Sequence, residues 1–177
     1  MTRPDHLSGT DRVAEVAATS DAQFIINIQG DEPLIDPLAI DSLAVALLVD
    51  DTAPMATLKK RIEDLQEFTN PNVVKVITDS NHHAVYFSRS PIPYDLSGEA
   101  IHYKHPGLYG YRREFLLAYP RLPVGPLERA ERLEQLRAIE NGHKIRVVET
   151  GYESVGVDTP QDLERVRRMM EVSLSDG

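Results

Sequence analysis

Apolar and polar positions alternate in blocks along this chain, and the period of each block predicts an element. In "TDRVAEVAAT" Val13, Val16 and Ala17 recur at helical spacing, with Ser8 or Thr10 as N-cap. "QFIINIQ" reads as a short buried strand, and "DPLAIDSLAVALL" as a helix with Asp36 as N-cap and Pro37 in its first position. "APMATLKK", "NVVKVIT" and "HAVYFSRS" predict three further strands. "SPIPYDLSGEAIHYKHPG" is rich in proline and glycine and reads as a long loop, a length more often functional than filler. "LYGYR" is a strand running into the short helix "REFLLAY". "PLERAERLEQLRAIENG" predicts one helix stopped by Asn141-Gly142, "HKIRVVET" a strand, and "DTPQDLERVRRMMEV" a last helix with Thr159 as N-cap and Pro160 at its start.

Helix and strand signals that alternate predict an α/β fold with a mixed, mostly parallel sheet flanked by helices. All of residues 1–177 fit one domain. Such a domain ordinarily opens on a strand and its phosphate-binding turn. This chain opens on the approach to a helix.

Composition narrows the classes. A formal net charge of -9 argues against nucleic acid, because no basic patch is present to displace counterions from phosphate. The absence of cysteine removes disulfides, Cys-based metal sites and thiol nucleophiles, and suits a reducing cytoplasm. "MTRPDHLSGT" lacks the apolar core of a signal peptide, and no apolar run approaches the roughly 20 residues that span a bilayer. A soluble cytoplasmic protein that binds neither nucleic acid nor membrane is expected.

In parallel α/β sheets, ligands gather beyond the C-terminal ends of the strands. Polar residues in that position are Gln29, Asp31 and Glu32 after "FIINI", Arg89 after "AVYFS", His105 and Tyr109 around "LYGY", and Asp158 after "ESVGV". Asp31 and Asp158 each follow an apolar segment and precede a proline. Brought together they would repel unless a cation lay between them, and Mg²⁺ takes such hard oxygen ligands. An Asx-turn at Asp31 and a helix-opening role for Asp158 fit the spacing equally well. Glu32 points elsewhere if the chain there is extended. In the helix "LERAERLEQLRAIENG" the face of Leu127, Ala130, Leu133, Leu136 and Ile139 contains Glu134 and Arg137 but not Gln135. Glu134 therefore either pairs with Arg137 or meets a polar ligand. His105 reads as turn packing and Arg89 as a surface ion-pair former when each is taken alone. His82-His83 falls in a hairpin turn and receives no role.

Taken in order, "DHLSGTDRVAEV", "NIQGDEPLI", "NPNVVKVI", "YFSRSPIPY", "HPGLYGYRREFL", "PLERAERLEQLR" and "GVDTPQDLERV" resemble the 3-deoxy-manno-octulosonate (KDO) cytidylyltransferases. The resemblance covers essentially the whole chain. It implies a Rossmann-like, glycosyltransferase-A-like nucleotidyltransferase in which the anomeric hydroxyl of KDO attacks the α-phosphorus of CTP and pyrophosphate leaves. CMP-KDO then feeds lipopolysaccharide synthesis. The resemblance further implies that Asp31 and Asp158 are the catalytic Mg²⁺ ligands. It assigns Arg3, Ser8, Gly9 and Gln29 to the nucleotide, and Arg89, His105, Tyr109, Glu134 and Gln135 to KDO. A homodimer is also implied.

One departure is large. The family pattern begins with an apolar strand and a "P-A-R-x-x-S-x-R-L-P-G-K" loop that holds the triphosphate, and this chain has neither. Met1-Thr2-Arg3 falls where the family commonly has an internal Met-Thr-Arg. The expectation is a fold lacking its N-terminal strands, with unpaired sheet edges and little or no turnover by itself. Two alternatives stand beside it: a cytidylyltransferase for a related sugar acid such as sialic acid, and a non-catalytic truncated protein that binds sugar or dimerises.

Overall fold

The computed structural model describes residues 2, 3, 6, 8–157 and 159–175. It begins with α1 (Gly9–Ala18), whose N-cap is Ser8: the Ser8 hydroxyl accepts from the Asp11 N–H at 3.1 Å. β1 (Phe24–Asn27) follows, then α2 (Pro37–Val49), which Asp36 caps through the Leu38 N–H at 2.9 Å. β2 (Met55–Arg61), the short α3 (Leu65–Thr69), and the β3 (Lys75–Thr78) and β4 (Ala84–Ser88) hairpin come next. The proline-rich segment runs into β5 (Tyr103–Lys104), then β6 (Tyr109–Arg112), α4 (Arg113–Ala118) and a 3-10 turn over Tyr119–Arg121. α5 (Pro126–Glu131), α6 (Gln135–Glu140), β7 (Ile145–Glu149) and α7 (Pro160–Ser175) complete the chain. At the start of α7, Thr159 and Asp162 exchange side-chain-to-backbone bonds of 2.9 and 3.2 Å, a reciprocal cap.

The sheet is mixed, but it is not mostly parallel. Its order is β1-β6-β2-β5-β3-β4, with β7 on β2, and among the described residues only the β2–β7 ladder is parallel. The reason lies in the connections. β1, β2 and β7 each follow a helix and share one direction, as the alternating pattern requires. β6 enters from a loop and lies antiparallel between β1 and β2. β4 returns from β3 through the tight Asp79–His83 turn, where the His83 N–H bonds the Asp79 carboxylate at 2.8 Å. Among the described residues β1 pairs with β6 alone, and it is half-buried along its length, not the fully buried strand its sequence suggests.

β2 organises both faces. Met55 joins the layer of Ala14, Ala17, Phe115, Leu116, Tyr111 and Leu136. Ala56 and Leu58 face the other way, against Leu43 and Leu47 of α2 with Leu108 and Tyr152. On one edge, β2 meets β6 through residues Met55–Thr57 and β5 through Lys60 and Arg61. β5 and β6 are thus one strand, interrupted at His105-Pro106-Gly107. Proline lacks the N–H a ladder needs, and Gly107 has φ +55, a region open to glycine without strain.

The interruption is tied to β2 by one hydroxyl. Thr57 is fully buried; its Oγ1 donates to the Leu108 carbonyl at 2.7 Å and lies 2.8 Å from His105 Nε2. A hydroxyl has one proton, and the carbonyl takes it. His105 therefore donates from Nε2 to Thr57.

The helix predicted over Pro126–Gly142 is two helices. α5 ends at Arg132, whose φ of 54 is left-handed, and α6 starts three residues later. Two carboxylates hold this break. Glu128 turns inward and grips Arg137 with two bonds, so Arg137 does not pair with Glu134. Glu140 reaches back to cap α5 through the N–H groups of Leu127 and Glu128 at 2.9 and 3.0 Å. A β-carbon on Gly125 would fall 2.2 Å from that carboxylate.

Two expectations follow. Thr57→Val keeps the shape but strands the Leu108 carbonyl and the His105 N–H, and should cost about 1–3 kcal/mol in urea unfolding at unchanged m-value. Gly125→Ala should displace the Glu140 side chain and cost about 1 kcal/mol, the worth of a helix cap, without loss of fold by circular dichroism.

Candidate active site

A cleft of about 550 Å³ opens where β1 ends and the β5–β6 strand breaks. Gly9, Thr10 and Arg12 of α1, Asn27 to Gly30, the His105–Tyr109 break, and Arg132 to Gln135 between α5 and α6 all line it. The structure thus gathers Gly9, Gln29, His105, Tyr109, Glu134 and Gln135 in one place. All six are residues that the sequence singles out for sugar and nucleotide, and they come from four separate segments.

Each side chain arrives prepared for polar contact. Gln29 reaches across to the Gly107 carbonyl at 3.4 Å, a long bond that a ligand could replace. His105 stacks edge-on to Phe87 and beside Tyr109, with ring centroids 4.9 and 5.2 Å away. Burial pushes its pKa down to about 3, so the ring is neutral and Nδ1 remains an acceptor. Burial also raises the Tyr109 phenol well above its ordinary range, with the neighbouring Tyr111, Tyr119 and Glu134 adding to the shift, so it stays a donor. Glu134 accepts from the Thr10 hydroxyl at 2.9 Å, and its carbonyl accepts from the Tyr119 hydroxyl at 2.5 Å. Gln135 is 4% exposed, and its Nε2 has no partner among the described residues. A buried amide donor left open at a cleft wall is what a polar ligand would satisfy. A continuous helix would have turned Gln135 out of the apolar face; the break at Arg132 turns it in.

The turn after β1 separates two adjacent acids. The Glu32 N–H bonds the Gln29 carbonyl at 3.2 Å, so backbone closes this turn. Glu32 then accepts from the Tyr152 hydroxyl at 3.0 Å and the Ser154 hydroxyl at 2.7 Å. Asp31 stays exposed beside the cleft, and its carbonyl accepts from the Val157 N–H at 2.9 Å. Glu32 therefore clamps the segment that leads to residue 158. Asp158 itself lies outside the described residues.

Three of the expected ligands are placed elsewhere. The Arg3 N–H and guanidinium bond Glu15, away from the cleft. Ser8 serves as the α1 cap. Arg89 follows β4, which runs against β3, and its guanidinium donates to the carbonyls of Glu131 at 2.9 Å and Pro71 at 3.1 Å. Its carbonyl accepts from the fully buried Lys75 ammonium at 2.6 Å. Sequence reasoning missed Thr10, Arg12, Tyr111 and Arg132 as lining residues. A left-handed arginine between two predicted helical turns carries no sequence signal. Thr10 could have been found as the polar residue beside a glycine in "SGTDR".

No helix among the described residues is long and apolar enough to cross a membrane. The cytidylyltransferase family model matches residues 1–145. The 3-deoxy-manno-octulosonate cytidylyltransferase of Solibacter usitatus (strain Ellin6076) is 63% identical over all of this chain and 71% of its own length. That of Geobacter metallireducens (strain ATCC 53774 / DSM 7210 / GS-15) is 56% identical over 94% of this chain and 70% of its own. The solved structure of CMP:2-keto-3-deoxy-manno-octonic acid synthetase complexed with CTP superposes with a TM-score of 0.92 at 44% identity, covering 98% of this chain and 72% of that one. The chain belongs to the cytidylyltransferase family, and within it to the 3-deoxy-manno-octulosonate cytidylyltransferases.

Proposed function

We propose that this protein transfers CMP from CTP to KDO, making CMP-KDO for lipopolysaccharide synthesis. The anomeric hydroxyl of KDO gives up its proton to solvent as its oxygen bonds to the α-phosphorus, the bond from that phosphorus to the bridging oxygen breaks, and pyrophosphate leaves with the negative charge. The observation that carries this reading is the convergence of Gln29, His105, Tyr109, Glu134 and the open Gln135 amide on one cleft, in a chain so similar to KDO cytidylyltransferases. A polyhydroxylated acid needs donors and acceptors in mixed order. The neutral His105 and Glu134 accept from hydroxyls; the Tyr109 phenol and Gln135 donate.

Mg²⁺ is the cofactor of this reading, held by Asp31 and Asp158. What supports this is Asp31, exposed at the rim while Glu32 is engaged with Tyr152 and Ser154. Mg²⁺ is content with one or two carboxylates, water and substrate phosphate. When bound it neutralises charge on the phosphates. CTP is a cytoplasmic substrate, so the protein acts in the cytoplasm, and it does so as a homodimer.

Pyrophosphate release from CTP, KDO and Mg²⁺ by the protein expressed from its full reading frame tests the reading. Release with sialic acid but not with KDO would replace the substrate, and no release with either would sink it. In the same assay Asp31→Asn should lower kcat about 100-fold or more, since metal-borne charge stabilisation is worth several kcal/mol.

His105 gives a second expectation. Its folded pKa of about 3 lies below the ordinary 6.5, so the unfolded chain binds more protons between those values. The contribution to stability is full above pH 6.5 and is lost as pH falls toward 3. Nitrogen-detected NMR should show a neutral Nε2–H imidazole with no inflection between pH 5 and 8, values bracketing the ordinary histidine range.

A further inference from the structure

Lys75 opens β3 and is fully buried, where lysine is seldom found. An ammonium is costly there unless all three of its protons find acceptors. They do, and each acceptor is a backbone carbonyl at the end of a different segment. Asn70, the C-cap of α3, accepts at 2.9 Å. Val73, in the turn before β3, accepts at 2.6 Å, and Arg89, just beyond β4, at 2.6 Å. In the sheet register Lys75 lies between Ser88 of β4 and Lys104 of β5. The carboxylate that offsets its charge is that of Glu131.

Two walls of the cleft hang from these bonds. Val74, between Val73 and Lys75, lines the cleft, and its carbonyl accepts from the His105 N–H at 2.8 Å. Arg89 carries the link the other way through its backbone. Its carbonyl accepts from Lys75, and its N–H donates to the Glu131 carboxylate at 2.9 Å, which also accepts from the Ser88 hydroxyl at 2.6 Å. Glu131 is the last residue of α5, and the next four, Arg132 to Gln135, line the cleft. We infer that Lys75 is a positioning residue for CMP transfer, whose ammonium holds the His105 wall and the Glu134–Gln135 wall at a fixed separation. Being fully buried, it acts through backbone and not on the substrate. This rests on the CMP-transfer reading above. It goes further by naming the group behind the cleft that keeps its parts in register.

The test compares Lys75→Met, Glu131→Gln and the double variant with the wild type, each expressed from its full reading frame and held well below its melting temperature. Methionine keeps the length and bulk of the side chain and removes the three donors. Steady-state constants are measured separately for KDO and CTP, with KDO binding by calorimetry and the His105 and Gln135 amide signals by NMR without ligand. Lys75→Met should raise the KM and Kd for KDO on the order of 10-fold, within the roughly 100-fold that a misplacement of about 1 Å costs. The KM for CTP should stay within about twofold, and both amide signals should move. The double variant should bind KDO no more than about twofold more weakly than Lys75→Met alone, because the two changes cut one linkage. Unchanged KDO constants in folded Lys75→Met would overturn the assignment, as would an equal loss for CTP or losses that multiply in the double variant. So would a fall in kcat alone that tracks the unfolded fraction, the mark of a purely structural role. Should Lys75→Met not fold, Lys75→Gln, which retains an amide donor, takes its place in the same comparison. If the wild type does not bind KDO at all, CMP transfer fails, and the two amide signals in Lys75→Met still decide whether Lys75 sets both walls.

Discussion

The cleft exists because a strand is broken, and the break is held by the hydroxyl of Thr57. That oxygen gives its proton to the Leu108 carbonyl and receives one from His105. It thereby satisfies a carbonyl that the interrupted ladder leaves open and fixes the tautomer of the histidine facing the ligand. Both debts of a broken strand, the unpaired backbone and the bent geometry, are settled at one buried atom. Valine has the same outline and can do neither. The central strand is thus a support for chemistry as well as for the core.

The second constraint is the kink between α5 and α6. Its parts compensate one another. Glu128 neutralises a buried arginine, and Glu140 supplies the cap that Gly125 lacks a side chain to give. Glu131 anchors the end of α5 to β4. The strain of a left-handed arginine is tolerated because these neighbours over-determine it. Their combined effect is to present Glu134 and Gln135 in succession to the same cleft, which no straight helix could do at 100° per residue.

Much of the fold was legible in the sequence because its signals are local. The caps at Ser8, Asp36 and Thr159 follow from side-chain chemistry within three residues. The burial of Leu43 and Leu47 follows from periodicity and length. What the sequence hid is non-local. The direction of β6 depends on which neighbours it finds, and the α5–α6 break depends on a Glu128–Arg137 pair whose register looks equally helical. Within the site, His105 and Tyr109 could be named from the turn they flank, but Gln135 was argued outward by a period that the structure interrupts. The place of Arg89 is set by β4 running against β3, which no local motif states. Asp31 and Glu32 part company through a turn closed on the Gln29 carbonyl, not through the extended chain that the sequence reading supposed.

The stitches of the cleft also set when it can form. Thr10 meets Glu134 across 124 residues, and Glu32 meets Tyr152 and Ser154 across 120 and 122. Closing loops of that length draws on chain entropy before any contact repays it, so these joins belong to the last stage of folding. During synthesis the cleft stays open until the segment before α7 has emerged. The same geometry couples the site to the whole molecule. A ligand that bridges Gln29, His105 and Gln135 draws together parts of the chain that are otherwise joined only through the core. Its binding energy therefore resists global unfolding and not merely the movement of a loop.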